Sequence, residues 1–130
     1  MSDPASYLAD TELALISSPV IAEYQIVRSW ANIDDGYIRV RGALTNGDFI
    51  ELAEYFVLNG DQIVTVDYRH HWTSGDKSVL RRRWDSTPDH RKLENFPHHI
   101  HVGGEGNVVP GQPQSVIDVL RIIEDEISRL

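Results

Sequence analysis

Five strand-like runs follow one another with only short turns between them, and this succession constrains the fold more than any other feature of the chain. Apolar and β-branched residues mark the runs, whereas Gly, Asn, Asp and Ser mark the turns at 32–36, 46–48, 59–61 and 73–77. Connections this short join antiparallel neighbours. The sequence therefore predicts an antiparallel meander with strands at 21–31, 37–45, 49–58, 62–72 and 78–85.

Helical patterns stand at both ends of this meander. The first, over roughly 4–17, carries Leu8, Leu13 and Ile16 and ends before Pro19. The second, over 115–130, begins with a capping box of Ser115 and Asp118. Its apolar stripe consists of Val116, Leu120, Ile123, Ile127 and Leu130.

A loop at 86–97 separates the meander from a short sixth strand at 98–102, and irregular chain follows that strand. We expect a single α+β domain over 1–130. In this domain an antiparallel β-meander sheet of five to six strands packs against a C-terminal helix and a short N-terminal helix.

Composition excludes several classes of protein. The chain has no cysteine, so disulfide scaffolds, thiolate metal sites and thiol nucleophiles are excluded. No apolar run approaches the roughly 20 residues that span a bilayer. The acidic start of the chain also lacks the basic-then-apolar pattern of a signal peptide. We therefore expect a cytoplasmic protein with no membrane partner.

Charge is distributed unevenly along the chain, which has a net charge of −8. Residues 69–103 contain seven Lys or Arg, four acidic residues and all six histidines, giving +3. The remainder is therefore at −11. The overall charge opposes nonspecific nucleic-acid binding, whereas a local basic stretch rich in histidine permits a phosphate-recognising site.

Alternation of side chains along the strands predicts which residues share a face. Tyr68 and Trp72 mark the apolar face of the fourth strand, with Val64 and Val66 beside them, and Trp84 marks that of the fifth. If the apolar faces coincide, the opposite, open face collects Arg39, Arg41, Asp67, Arg69, His71, Arg81, Arg83, Asp85, His99 and His101.

Two features of the apolar face need explanation. A three-residue loop at 59–61 is expected, because a two-residue turn at Asn59 and Gly60 would split the apolar sets of the two strands it joins. The same face carries Glu54, His70 and Arg82. We interpret these three as a compensated polar cluster at the rim of the core, since buried charges must be paired.

The motifs of the later strands resemble the TumE family of prokaryotic toxin–antitoxin toxins, over roughly 20–130. The residues concerned are Tyr68-x-x-His71-Trp72, Arg82-Arg83-Trp84-Asp85, Pro88-x-His90 and Phe96-Pro97-His98-His99-x-His101-Val102. The family usually has R-(W/Y)-D-N-A-P-H-H in the middle of this pattern, and the chain departs from it at Ser86, Thr87 and Asp89. The resemblance implies a small toxin that pairs with an antitoxin, often one with a helix-turn-helix domain, and favours ribonuclease activity.

The first hypothesis is a metal-independent endoribonuclease that needs no cofactor. RNA cleavage needs a proton acceptor, a proton donor and cations that stabilise charge on the phosphate. We assign proton transfer to His71, His99 and His101, and phosphate binding to Arg69, Arg81 and Arg83, with Asp85 orienting a histidine. His90 and His98 complete the predicted RNA-binding set.

Two other hypotheses remain open. In the second, His99-x-His101 places two imidazoles on one side of a strand and binds a metal ion with His90, His71 or Asp85. In the third, the protein is a non-catalytic partner whose acidic C-terminal helix docks a basic antitoxin. A second copy of the chain is a further partner left open. The glycine-rich stretch 103–107 lacks the lysine and the following helix of a phosphate loop, so it is interpreted as a flexible loop.

Overall fold

The computed structural model describes residues 3–129, which form one seven-stranded antiparallel sheet covered by two helices. Strand order in the sheet follows chain order, as expected for a meander. The elements are α1 (Pro4–Ser17), β1 (Ile21–Ala31), β2 (Asp35–Leu44), β3 (Phe49–Asn59), β4 (Gln62–Thr73), β5 (Leu80–Asp85), β6 (His99–Val102), β7 (Val108–Pro110) and α2 (Val116–Ser128). The α+β class is confirmed, and the expected strand count is exceeded by β7, which pairs with β6 inside the stretch predicted to be irregular.

Helix α1 spans the predicted residues and packs against the sheet through Leu15. Asp3 caps it by accepting a hydrogen bond from the Ser6 amide, and Pro4 suits the first turn, where an amide proton is not needed. Leu15 is buried against the sheet, whereas Leu13 and Ile16 are 62% and 70% exposed. Of the apolar residues that mark the helical pattern in the sequence, Leu13 and Ile16 therefore face solvent, and Leu8 is partly buried against the core.

Helix α2 follows the prediction closely. The capping box of Ser115 and Asp118 is present, and Val116, Leu120 and Ile123 are buried in the core together with Val119. Of the other two predicted stripe residues, Ile127 is partly buried and Leu130 lies outside the described residues. No helix within 3–129 is long and apolar enough to cross a membrane.

The register between β3 and β4 is set by a bulge and not by the turn. Gly60 and Asp61 form a two-residue turn, because Asn59 pairs with Gln62. The predicted three-residue loop was therefore wrong. Val66 has no partner in β3 and forms a bulge in β4. The bulge returns the later residues of β4 to the faces predicted for them, and Glu54 pairs with Tyr68. Val64 and Val66 are both 40% exposed, contrary to their predicted place on the apolar face.

The polar residues on the helix-covered face have partners, as predicted, but they form separate contacts and not one cluster, and Glu54 and His70 lie fully buried in the core and not at its rim. Glu54 is fully buried and accepts hydrogen bonds from the Tyr7 hydroxyl, the Thr65 hydroxyl and the Val116 amide, at 2.7, 2.7 and 2.9 Å. This one carboxylate therefore joins α1, β4 and the start of α2. Elsewhere on the face, His70 donates to the Gln114 carbonyl, and Arg82 forms an ion pair with Glu126.

Candidate functional site

The predicted site residues occupy two neighbouring cross-strand rows on the open face, where no helix covers the sheet. In one row His71 pairs with Arg83, and Arg83 pairs with His101. In the next row Arg69 pairs with Asp85, and Asp85 pairs with His99. Directly opposed residues bring their Cβ atoms to about 4.5–5.5 Å. The His71 and His101 imidazoles therefore flank Arg83. Arg69 and the His99 imidazole flank Asp85.

Arg83 lies at the centre of the first row and is held by carboxylates. Its Nη1 and Nη2 atoms donate to both Glu105 oxygens at 2.6 and 2.7 Å, and its Nε is 3.5 Å from Asp85 Oδ2. The Arg83 side chain is 9% exposed, whereas that of Glu105 is 66% exposed. The hydrogen bonds from Arg83 lower the pKa of Glu105. An exposed carboxylate therefore occupies the fork that a phosphate group would also fit.

Asp85 anchors the second row. Its Oδ1 accepts from the Thr87 amide and hydroxyl at 2.8 and 2.6 Å, and its Oδ2 is 3.9 Å from both Arg69 Nε and His99 Nε2. Burial acts to raise the pKa of Asp85, but the Thr87 hydrogen bonds and the charges at His99 and Arg69 outweigh it and lower the pKa. Asp85 is therefore an anion at neutral pH.

His99 and His101 are fixed by backbone carbonyls. His99 Nδ1 is 2.8 Å from the Pro97 carbonyl, and His101 Nδ1 is 3.0 Å from the Glu105 carbonyl. A carbonyl only accepts, so each Nδ1 carries a proton, and in the neutral form of each ring the lone pair is on Nε2. Burial, assisted by the Arg83 charge, lowers the pKa of His101 despite the Glu105 hydrogen bond.

His90 reaches this pair from the long loop between β5 and β6. Its ring lies edge-on to those of His99 and His101, with centroids 5.0 and 5.8 Å away. Its backbone has a φ of 52°, in the left-handed region that non-glycine residues seldom adopt. His90 is exposed while the other two are buried, so it covers them from the solvent side.

His71 is the half-buried histidine of the first row. Burial lowers its pKa below the usual 6.5, and the charges of Arg83 and Arg69 act in the same direction. His71 is therefore neutral at pH 7 and able to accept a proton.

Two of the predicted site residues lie outside this cluster. Arg81 forms an ion pair with Asp48 in the β2–β3 turn at 3.3 Å. His98 stacks on Tyr68, which belongs to the helix-covered face, and its Nδ1 is 3.0 Å from the Tyr68 hydroxyl. Trp72 and Trp84 are buried packing residues, as expected.

Sequence reasoning missed a row of aromatic residues on the open face. Trp30 pairs with Tyr37, and Tyr37 pairs with Tyr55, with the Trp30 ring centroid 6.1 and 6.2 Å from the two tyrosine rings. The alternation that placed Arg39 on the open face would also have placed Tyr37 there. Between this row and Arg69 lies a groove of about 350 Å³.

Glu105 and Arg28 were also missed. Arg28 pairs with Arg39 across β1 and β2, and so extends the arginines of the open face to the first strand. Alternation along β1 could have indicated Arg28, but a bulge between Ile26 and Arg28 shifts the pattern. No sequence signal marks Glu105, because its contact with Arg83 depends on the path of a glycine-rich loop.

Comparison with known proteins identifies the family. The family model described as Toxin TumE matches residues 11–130. The chain belongs to the TumE toxin family. It is therefore the toxin component of a toxin–antitoxin system, and a cognate antitoxin is its partner. The resemblance read from the motifs is confirmed. No curated protein and no solved structure matches the chain.

Proposed function

We propose that this toxin is a cytoplasmic ribonuclease that binds single-stranded RNA on the open face and cleaves it at the histidine–arginine cluster. The observation that carries the proposal is the pair of cross-strand rows, in which imidazoles and guanidinium groups from three strands face the same side. A phosphodiester lying across these rows would meet proton-transfer groups and cations together.

Basic residues supply the track for the RNA backbone. Arginines from four strands point to the open face, although the protein as a whole is acidic. They are Arg28, Arg39, Arg41, Arg69 and Arg83. Glu51 holds Arg39 and Arg41, whereas the Arg69 side chain is 61% exposed and only 3.9 Å from Asp85. Arg69 is therefore the cation best placed to meet an incoming phosphate.

The aromatic row supports RNA over other phosphate compounds. Bases of a single strand stack on exposed aromatic rings, and a sheet surface with two or three such rings is a common RNA-binding arrangement. Trp30, Tyr37 and Tyr55 are partly exposed beside the groove that ends at Arg69. A base stacked on this row would leave its phosphate close to the second row of the cluster.

The chemistry needs no metal ion. His71, neutral because its pKa is lowered, takes the proton of the 2′-hydroxyl as that oxygen attacks phosphorus. The bond to the 5′-oxygen breaks as that oxygen takes the Nε2 proton of His99 or His101 in the imidazolium form, which must first bind a proton from solvent. A 2′,3′-cyclic phosphate is left. Arg69 and Arg83 stabilise the charge on the phosphate. His99 and His101 are 1% and 5% exposed beneath His90, so the loop 86–97 must open for this step.

The experiment measures cleavage of a single-stranded RNA oligonucleotide by metal-stripped toxin in excess chelator. His71→Asn is expected to lower the rate about 10²- to 10⁴-fold, the usual contribution of a general base. His71 acts in its neutral form, so the rate should fall as the pH drops below 6.5, the ordinary imidazole value. The rate should fall again at higher pH, where the histidine that donates the second proton loses it. An oligonucleotide with 2′-deoxy sugars should not be cut.

Matched arginine variants test the binding face. Arg69→Ala should weaken cleavage, whereas Arg121→Ala, an exposed arginine on α2, should leave it unchanged. Cleavage that survives His71→Asn, or a toxin that cuts no RNA at all, would contradict the proposal.

For the partner, we propose an antitoxin with a helix-turn-helix domain that docks on α2. Exposed acids on this helix, including Asp118 and Asp125, would meet a basic surface and leave the open face to RNA. A second copy of the chain remains an alternative partner for the same surface.

A further inference from the structure

His90, His99 and His101 bring three imidazole nitrogens to one point on the open face. One nitrogen from each ring lies within 4.8 Å of the other two. His99 and His101 come from the same side of β6, and His90 comes from the loop over them. Nitrogens bound tetrahedrally to one Zn²⁺ are about 3.4 Å apart, because each Zn–N bond is about 2.0–2.1 Å. The exposed His90 ring is the member of the set that can turn inward to reach this spacing.

The hydrogen bonds of the two buried rings leave their Nε2 lone pairs available. Both Nδ1 atoms donate to backbone carbonyls, those of Pro97 and Glu105, so both Nε2 atoms are free to act as ligands. Metal-binding histidines are usually held in this way by a hydrogen bond from the other ring nitrogen.

His99 Nε2 is an independent sign that something is bound here. The side chain is 1% exposed and Nε2 has no hydrogen-bond partner, although a buried polar atom normally has one. Asp85 Oδ2 is 3.9 Å away, which is beyond hydrogen-bond distance, and a carboxylate has no proton to donate to the Nε2 lone pair. A metal ion between the three rings would satisfy this nitrogen.

We propose that His90, His99 and His101 form a binding site for one divalent transition-metal ion of the Zn²⁺ type. Neutral imidazole suits Zn²⁺, Co²⁺, Ni²⁺ and Cu²⁺, whereas Mg²⁺ and Ca²⁺ prefer oxygen ligands. The positive charge of Arg83 does not oppose the ion, because Glu105 and Asp85 already balance it. Three protein ligands leave a fourth position for water or a phosphate oxygen.

Occupation of this site has a consequence that rests on the proposed function, whereas metal binding itself does not. A bound ion uses the Nε2 lone pairs of His99 and His101, so neither ring can exchange a proton with RNA. His71 stays outside the site, two strands away from His101. We therefore expect one equivalent of Zn²⁺ to inhibit the metal-independent cleavage.

The test uses full-length toxin without a histidine tag, freed of metal by a chelator that is then removed. Co²⁺ is titrated and followed by its visible absorption, and Zn²⁺ binding is measured by calorimetry. We expect one ion per chain, the strong absorption of four-coordinate Co²⁺, and a shift of the Nε2 signals of His99 and His101 in nitrogen NMR spectra with Zn²⁺.

Variants of neighbouring histidines provide the controls. His90→Ala removes an exposed ligand without disturbing the core and should weaken Co²⁺ binding at least tenfold. His98→Ala changes the histidine next to the site but outside it, and should bind Co²⁺ as the unchanged protein does. The proposed metal site would be overturned if the His90 variant bound Co²⁺ as tightly as the unchanged protein. It would also be overturned if the unchanged protein bound less than one ion per chain.

The activity measurement separates the two proposals. Co²⁺ binding is observed without RNA, and RNA cleavage is measured in chelator, so either can fail alone. Cleavage that is stimulated by one equivalent of Zn²⁺ would overturn the inhibitory role.

Discussion

Both faces of the sheet bury histidines, but the surroundings of these histidines differ. On the helix-covered face, His70 donates to the Gln114 carbonyl and stacks on Tyr68, with ring centroids 5.5 Å apart. On the open face, His99 and His101 are covered by loop side chains, those of His90 and Glu105. Sheet and helices enclose the first histidine permanently, whereas the other two lie beneath groups that can move.

An unpartnered nitrogen alone does not mark a functional site. His70 Nδ1 and His99 Nε2 both lack a hydrogen bond. Within residues 3–129, however, the metal-type grouping forms only around His99, where two further imidazoles converge. Convergence of ligand atoms, and not burial or an unsatisfied atom, therefore distinguishes the histidine of the proposed metal site from the structural histidine.

The largest effect should come from the carboxylate that joins the helices to the sheet. Glu54→Ala removes the acceptor of three hydrogen bonds and leaves the Tyr7, Thr65 and Val116 donors unsatisfied. We expect the free energy of unfolding, measured by urea denaturation, to fall by about 3–5 kcal/mol. Glu54→Gln keeps the shape and should cost roughly 1–2 kcal/mol.

Glu51 is the matched control on the same strand. It lies on the open face, where it holds Arg39 and Arg41, and its side chain is 26% exposed. Glu51→Ala should cost less than about 1 kcal/mol, as is usual for surface ion pairs. If both alanine variants lose the same free energy of unfolding, the helix-covered face does not depend on its buried carboxylate more than the open face depends on a partly exposed one.

The next effect is acid sensitivity at His70. Burial lowers the pKa of His70 to about 4, against the opposing hydrogen bond to Gln114 and the charge of Asp118. The unfolded chain takes up this proton near pH 6.5 and the folded protein only near pH 4. The contribution of neutral His70 to the free energy of unfolding is therefore fully present above pH 6.5. That free energy falls by about 3 kcal/mol as the pH drops to 4.

His70→Gln isolates this contribution. Glutamine can still donate to the Gln114 carbonyl but does not titrate. Between pH 7 and 4, the free energy of unfolding should therefore fall by about 3 kcal/mol less in the variant than in the unchanged protein. All other titrating groups, Glu54 included, are common to both proteins. If urea denaturation shows the same fall in unfolding free energy for both proteins across this pH range, the acid sensitivity belongs to another group.

Much of the fold and part of the site follow from the sequence. Alternation placed His71, Arg83 and His101 on one face, and short turns fixed the order of β1 to β5, because both depend on local chain geometry. The capping box likewise located the start of α2.

Features that depend on distant contacts were not predictable. The bulge at Val66 and the short strand β7 exist only because neighbouring strands stabilise them. The position of His90 over His99 depends on the path of a twelve-residue loop at 86–97, which no periodicity describes. The sequence therefore predicts the strand residues of the site but not the loop residues that complete it.

The smallest expected effect compares two ion pairs on opposite faces. Glu105 holds Arg83 on the open face, and Glu126 holds Arg82 on the helix-covered face. Glu105→Gln removes the carboxylate that competes with phosphate for Arg83 and keeps the backbone carbonyl that fixes His101. We expect RNA to bind about fivefold more tightly in fluorescence anisotropy, equivalent to roughly 1 kcal/mol.

Glu126→Gln removes one negative charge as well, but from the pair that faces away from the proposed RNA track. It should leave RNA affinity within about twofold of the unchanged protein, because exposed charges more than roughly 10 Å apart are largely screened at physiological salt. Equal tightening by both variants would show that net charge, and not the release of Arg83, controls RNA affinity. In that case Glu105 would have no specific role in keeping phosphate from Arg83.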